Sequence, residues 1–217
     1  PLLMPVGSCT HVLWDFNGTL LDDLDVAVAA VSDMLVSRGR EPMTRAWYYE
    51  LMEMPIIRYY EKLFDLSQVP FETLSREFVE GYARHFSLAH LAPGAREAVS
   101  RFAAAGCRQV VVSSFQQQRL LTILQELELA DAFEAVLGAE NIRSESKVGR
   151  AQDWLKQSGA PPDQVLVIGD LVHDWEVAQA LGARCVLLSC GHQSYADLSR
   201  CGCPVISDLR ELWQVIK

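Results

Sequence analysis

The chain has 217 residues, half of them hydrophobic and 22% charged, the balance of a folded chain and not of a disordered one. Folding at this length buries roughly 70% of the extended-chain surface, enough for a real core; the size is long for one ordinary domain and short for two large ones. A net charge of −9 speaks against a nucleic-acid partner, because a phosphate-backbone binder needs a clustered basic surface. No apolar run approaches the ~20 residues of a membrane span. The opening "PLLMPVGS" lacks the basic region of a signal peptide, so the expectation is a soluble, cytoplasmic protein with no membrane partner. The six cysteines match no zinc spacing, and Cys9, Cys107 and Cys185 stand beside strand-like runs, where a reduced thiol packs as a small hydrophobe.

In chain order, the first element is the apolar run "HVLWDF", a strand that climbs to Asp15 and breaks into Asn-Gly-Thr. Residues 22 to about 90 then carry helical patterns with no strand between them: "LDVAVAAVSDMLVSRG", "RAWYYELM", "IIRYYEKLF" and "FETLSREFVEGYARHF". Pro42, Pro55 and Pro70 punctuate these patterns as helix starts or breakers. Trp47, Tyr48, Tyr49, Tyr59 and Tyr60 read first as the packing of a small helical bundle, with a ligand-site lining as the alternative. From residue 94 the pattern changes. Helix and strand alternate through "GAREAVSRFAAAG", "CRQVVVSS", "QQQRLLTILQELEL", "FEAVLG", "VGRAQDWLKQSG", "QVLVIGD", "HDWEVAQALG", "RCVLLSC", "CPVIS" and "DLRELWQVIK". Alternation predicts an α/β fold with a doubly wound parallel sheet, to which the first strand also belongs. The expected domains are a core of residues 1–21 and 92–217 and an all-helical insertion over 22–91.

Ligands of an open parallel sheet bind beyond the carboxyl ends of its strands. Asp15 closes the first strand, Ser113 closes "VVVS", and Asp170 closes "VLVIGD", with Asp174 four residues later. Lys147 lies in the polar loop "RSESKVG" that opens a helix. Singly, each acid or serine could be a helix N-cap and the lysine a solvated loop residue. Together they supply one carboxylate to attack, others to hold a hard cation, and a hydroxyl and an ammonium for phosphate oxygens. Mg²⁺ takes such carboxylate sites, and phosphoryl transfer asks mainly for positioning and charge neutralisation.

With those residues in view, the chain resembles the haloacid dehalogenase superfamily, most closely its phosphoglycolate-phosphatase-like branch. The resemblance rests on "DFNGTL", "VVVSS", Lys147 in "SKVG" and "GDLVHD", and "APGAREAVSRFAAAG" looks like that branch's return from cap to core. It implies a Rossmann-like core with a helical cap, and a small phosphorylated substrate. It also implies Asp15 as a nucleophile that forms an aspartyl-phosphate. Ser113 and Lys147, with Ser114, Gly18 and Thr19, would contact the phosphate. Mg²⁺ would be held by Asp15, the Asn17 carbonyl oxygen and Asp170, with Asp174 supporting it directly or through water.

One position departs from the pattern. Phosphatases of the family carry a second Asp two residues after the nucleophile, as general acid and base, and here Asn17 stands in its place. An amide hydrogen-bonds but cannot shuttle a proton at neutral pH. General acid–base catalysis is typically worth about 10²–10⁴-fold, so its loss implies a slow enzyme and not necessarily a dead one. Alternatives stay open: another acid such as His173, His90 or His192; a substrate whose leaving group needs no acid, such as an aryl or acyl phosphate; or a weakened protein that binds or regulates. Dehalogenase chemistry is disfavoured by the retained Asp170 and Asp174, and phosphonate hydrolysis would need a cap lysine, for which Lys62 is the one candidate. A phosphomutase would need the missing acid. Arg45 and Arg58 could contact an anionic substrate or simply face water. Asn17-Gly18 is also a deamidation-prone pair, and conversion to Asp would restore the acid.

Overall fold

The structure, a computed structural model, describes residues 9–140 and 146–216. The opening "PLLMPVGS", the first residues of the loop before Lys147 and the final residue lie outside the described residues. β1 (His11–Trp14) is buried on both faces, and such a strand belongs at the centre of a sheet. After it come β2 (Leu21–Asp22) and four consecutive helices: α1 (Leu24–Val36), α2 (Arg45–Leu51), α3 (Ile56–Leu63) and α4 (Phe71–Arg84). The chain returns through β3 (His90–Leu91) to α5 (Ala95–Ala104), β4 (Arg108–Gln116), α6 (Gln117–Glu126) and β5 (Ala135–Ala139). α7 (Lys147–Ser158), β6 (Val165–Gly169), α8 (Val172–Leu181), β7 (Arg184–Leu188), α9 (Tyr195–Leu198), β8 (Val205–Ile206) and α10 (Leu212–Val215) complete it.

The main sheet runs β5-β4-β1-β6-β7-β8, and all its neighbours are parallel. β1 pairs with β4 on one side and β6 on the other, Leu13 facing Val110 and Val167. The strand order therefore reverses at β1, and the carboxyl ends of β1, β4 and β6 meet at the switch point. Alternation along β1 sends Val12 and Trp14 into one apolar layer with α5 and α6, and Leu13 into the other with α7 and α8. The polar atoms of the first layer are paired: Trp14 Nε1 donates to Gln109 at 2.8 Å, and Gln109 donates to the Val99 carbonyl at 2.8 Å.

α1 to α4 bury a cluster of their own around Val31, Leu35, Tyr59, Tyr60 and Leu74. β2 and β3, the entry to and exit from these helices, pair antiparallel with Leu21 opposite Leu91. Two-residue strands carry no periodicity, so sequence patterning could not show this ribbon.

Two details depart from expectation. β4 continues past Ser113 to Gln116, with a register shift between Val112 and Gln116. A bulge at a sheet rim re-aims side chains: Ser113 stays buried while Ser114 is exposed. At the far end, the expected terminal strand and helix shrink to the two residues of β8, a 3₁₀ turn (Leu209–Glu211) and the single turn of α10. β8 is the sheet edge, and only Ile206 of its two residues is fully buried. Among the described residues no helix is long and apolar enough to cross a membrane, and the six cysteines are free.

Phe102 is fully buried between Trp14 and Trp213, with ring centroids at 5.8 and 5.1 Å. Phe102→Ala should cost about 3–5 kcal/mol of unfolding free energy in urea titrations, and a loss under ~1 kcal/mol would contradict this packing.

Candidate functional site

The site begins with the hairpin-like loop that leaves β1. Asp15 N–H donates to the Ile168 carbonyl at 2.9 Å, which extends the β1–β6 ladder by one residue and fixes where the carboxylate starts. Gly18 N–H then donates to Leu21 at 2.8 Å, and Leu21 N–H donates back to Phe16 at 2.9 Å. Gly18 adopts φ +79°, and a Cβ there would lie 2.2 Å from Asp170 Oδ2, so both conformation and space demand glycine. Gly191, after β7, also stands against this carboxylate: a Cβ would come within 2.4 Å of Asp170.

Asp15, Asp170 and Asp174 are buried together, each offering a carboxylate oxygen within 4.8 Å of the others. Ser146 caps α7 by accepting from Gly149 N–H, which sets Lys147 at the first helical position with its ammonium turned inward. Lys147 Nζ donates to Asp15 Oδ1 at 2.7 Å and to Asp174 Oδ1 at 2.5 Å. The other oxygen of Asp174 accepts from the Asp170 and Leu171 amides, both at 3.0 Å, so that carboxylate also caps α8. Thr19 Oγ1 donates to Asp170 Oδ1 at 3.2 Å and reaches Asp15 at 3.4 Å.

Charge in this cluster is unbalanced. Burial and the Asp15 charge push the Asp170 carboxyl well above the usual carboxylate range, against the pull of His192. Asp174 is raised by burial and Asp15, although Lys147 opposes the rise. Burial alone would lower the Lys147 ammonium, but Asp15 and Asp174 outweigh it and raise it. Three converging carboxylates against one ammonium, all hard oxygen donors, fit a small divalent cation of the Mg²⁺ kind.

Asn17 sits in a second network. Its amide nitrogen donates to Asp23 Oδ2 at 3.2 Å and to the Tyr82 hydroxyl at 3.1 Å, and its oxygen accepts from Ser113 at 3.3 Å. Asp23 is a carboxylate and only accepts, so an NH₂ facing it is the complementary group. Tyr82 donates to the same Asp23 oxygen at 2.6 Å, and His192 Nε2 reaches Asp23 Oδ1 at 2.7 Å. His192 Nδ1 lies 2.9 Å from the Tyr48 hydroxyl, and its backbone N–H donates to Asp170 at 2.8 Å. Burial opposes charge on His192, yet the charge and hydrogen bond of Asp23 lift it to about 9. Burial would raise Asp23 in turn, and His192, Tyr82 and Asn17 together hold it below its ordinary value.

The structure thus brings together Asp15, Asn17, Gly18, Thr19, Ser113, Lys147, Asp170 and Asp174, with exposed Ser114 at the rim. Of the three candidate histidines, only His192 joins them. His173 pairs with Glu176 at 3.1 Å on the surface of α8, and His90 with Asp22 at 3.2 Å. Lys62 is held by Glu53 at 2.7 Å and the Leu51 carbonyl at 3.1 Å. Arg45 and Arg58 pair on the surface with Asp25 and Glu61. Of the aromatics, Tyr59 and Tyr60 pack the helical cluster, while Tyr48 and Tyr49 reach the core, Tyr49 donating to the Gly191 carbonyl at 2.7 Å. Asp23 and Tyr82 escaped sequence reasoning: one reads as the start of α1 and the other as a helix-face residue.

Comparison with known proteins agrees with this geometry. A family model described as haloacid dehalogenase-like hydrolase matches residues 12–188. A phosphoglycolate phosphatase of Pseudomonas fluorescens is 27% identical over 210 residues, 93% of this chain and 77% of that one. Phosphoglycolate phosphatase 1 of Pseudomonas aeruginosa is 25% identical over the same shares. Among solved structures, a haloacid dehalogenase-like family hydrolase of Streptococcus pneumoniae superposes with a TM-score of 0.81 at 18% identity, covering 95% of this chain and 98% of that one.

Deamidation of Asn17 needs the Gly18 nitrogen to attack the Asn17 side-chain carbon. That N–H is committed to Leu21, and the side chain is held at three points. The folded protein incubated at mildly alkaline pH should therefore keep an unmodified Asn17 by peptide mass mapping, whereas the unfolded chain converts. Equal conversion in both would contradict the loop geometry.

Proposed function

Because the chain belongs to the haloacid dehalogenase-like hydrolase family, in its phosphoglycolate-phosphatase-like branch, we propose that it is a Mg²⁺-dependent hydrolase of phosphate monoesters acting through Asp15. The observation that carries this reading is the convergence of Asp15, Asp170 and Asp174 around the Lys147 ammonium at the carboxyl ends of the central strands. Asp15, Asp170 and the Asn17 carbonyl would hold the ion, with Asp174 behind them. The chemistry supplied by bound Mg²⁺ is neutralisation of charge on the phosphate oxygens.

The residues divide the rest of the work. Lys147 keeps Asp15 oriented and presents its ammonium to the phosphate, and the Ser113 hydroxyl, which rests on Asn17, would turn from the amide to a phosphate oxygen, with Gly18 and Thr19 lining the same loop. An Asp15 oxygen attacks phosphorus, and the ester P–O bond breaks with its electron pair on the departing oxygen. Water then attacks the aspartyl-phosphate, the bond to Asp15 breaks, and inorganic phosphate leaves with the carboxylate restored. Neither step finds an acid or base at residue 17. The Asn17 amide is neutral, and its N–H bonds are spent on Asp23 and Tyr82. The second step suffers most, since a water must lose a proton as it attacks.

Two variants test this. Asp15→Asn should abolish Mg²⁺-dependent turnover and any covalent phosphate, read by intact mass after acid quench. In the unaltered protein a phosphoryl adduct on Asp15 should accumulate in an initial burst. Asn17→Asp should remove the burst and raise steady turnover of alkyl phosphates by about 10²–10⁴-fold. No turnover, no adduct and no response to Asp15→Asn would leave a protein that binds through its metal site without reacting.

A further inference from the structure

Two cavities open between the helical insertion and the sheet, and both reach Ser114. The larger, about 860 Å³, is ringed by Glu50, Glu53, Glu176 and Asp197 against two cations, Lys62 and Arg200. Lys62 is already paired to Glu53. Four carboxylates around a cavity repel an anionic ester.

The second cavity is about 410 Å³, a size that suits a small organic molecule. It is bordered by Asn17 of the nucleophile loop, with the exposed Ser114 at its rim. Its walls are mainly apolar: Ala27 of α1, Tyr48 of α2, Phe78, Val79 and Tyr82 of α4, and Phe115 at the end of β4. Ser114 and Gln116 lie at its exposed rim, and the polar groups deeper on its border face each other. Asp23 spends both oxygens on His192, Tyr82 and Asn17, and His192 spends both ring nitrogens on Asp23 and Tyr48. The cation on this wall, Arg119, lies over rings, its guanidinium carbon 5.0 Å from the Phe115 centroid, 5.1 Å from Phe86 and 5.8 Å from Tyr82. Such a lining accepts a flat apolar ring, which can stack among the aromatic side chains and over the guanidinium.

We propose that this cavity receives the aromatic leaving group of an aryl phosphate monoester, an assignment that rests on the phosphatase reading above and gives it a substrate class. The proposal joins two independent features, the apolar walls and the amide at position 17. A phenol ionises near pH ~10, as tyrosine does, whereas water ionises only near ~15.7, and simple alcohols lie far closer to water than to phenol. When the phosphoryl group moves to Asp15, the P–O bond to an aromatic ring breaks with its pair on a phenolate oxygen. That phenolate departs unprotonated and takes its proton from water afterwards. The first half of the reaction then has no need of an acid at residue 17, and Asn17 serves as wall and as partner of Asp23.

The test compares kcat/KM, with Mg²⁺ present, for 1-naphthyl phosphate, acetyl phosphate and phosphoglycolate. Acetyl phosphate has a good leaving group without a ring, so it separates activation from fit. Naphthyl phosphate should exceed phosphoglycolate by about 100-fold and acetyl phosphate by about tenfold. Phosphoglycolate as the best of the three, or acetyl phosphate equal to the naphthyl ester, overturns the assignment. A second measurement does not depend on turnover: 1-naphthol fluorescence titrated into the Mg²⁺-loaded protein and into Val79→Glu, a change on an exposed turn of α4. Saturable binding, weakened about tenfold by the substitution, supports the cavity as the ring site. Absent or unaltered binding overturns it. If naphthol binds but no phosphate ester is hydrolysed, the phosphatase reading fails and the ring site stands.

Discussion

The buried ammonium of Lys147 is the interaction on which the rest of the site depends. Three carboxylates brought within 4.8 Å of one another in a protein interior repel strongly, and burying them unpaired costs far more than folding can supply. Lys147 meets two of them directly, while the Asp170 and Leu171 amides satisfy the free oxygen of Asp174. The arrangement holds only because β1, β6 and α7 deliver their ends to one point. The sheet order achieves that by placing β1 between β4 and β6. What remains is an excess of carboxylates over cations, which raises the Asp170 carboxyl and which a bound cation would offset.

Asn17 belongs to a different balance. Considered alone it looks like a catalytic group gone missing. Beside Asp23 it is the side chain that fits, because an acid there would set two carboxylates about a hydrogen bond apart, with one of them forced to protonate. Asp23 and His192 make a buried ion pair that spends its polarity internally, and Tyr48 and Tyr82 of the insertion complete it. The same side chains that satisfy this pair present their rings to the cavity. Polar satisfaction and apolar lining are thus two faces of one set of residues.

Much of this is legible in the sequence. The strands β1, β4 and β6 carry the apolar stretches VLW, VVV and VLVI, which suit a sheet interior, and Asp15, Ser113 and Asp170 follow directly on them. Other features were not legible, for reasons of distance and length. Asp23 and His192 are 169 residues apart, and nothing local in either segment points to the other. Three histidines looked equivalent in sequence; only burial beside a carboxylate separates His192 from His90 and His173. The bulge that turns Ser114 outward depends on how β4 meets β5, which is a property of the pair and not of either strand.

The ribbon of β2 and β3 has a mechanical consequence. The helical insertion is spliced into the core at neighbouring points, and its two connections are hydrogen-bonded to each other. The only covalent links between insertion and core thus run through one short paired ribbon, which sets the two segments side by side. Further contacts with the core come from α2: the Tyr48 and Tyr49 hydroxyls on His192 and Gly191. One of these contacts closes on the backbone beside Asp170 and the other on the histidine that holds Asp23, so the insertion is tied to both networks through a single helix.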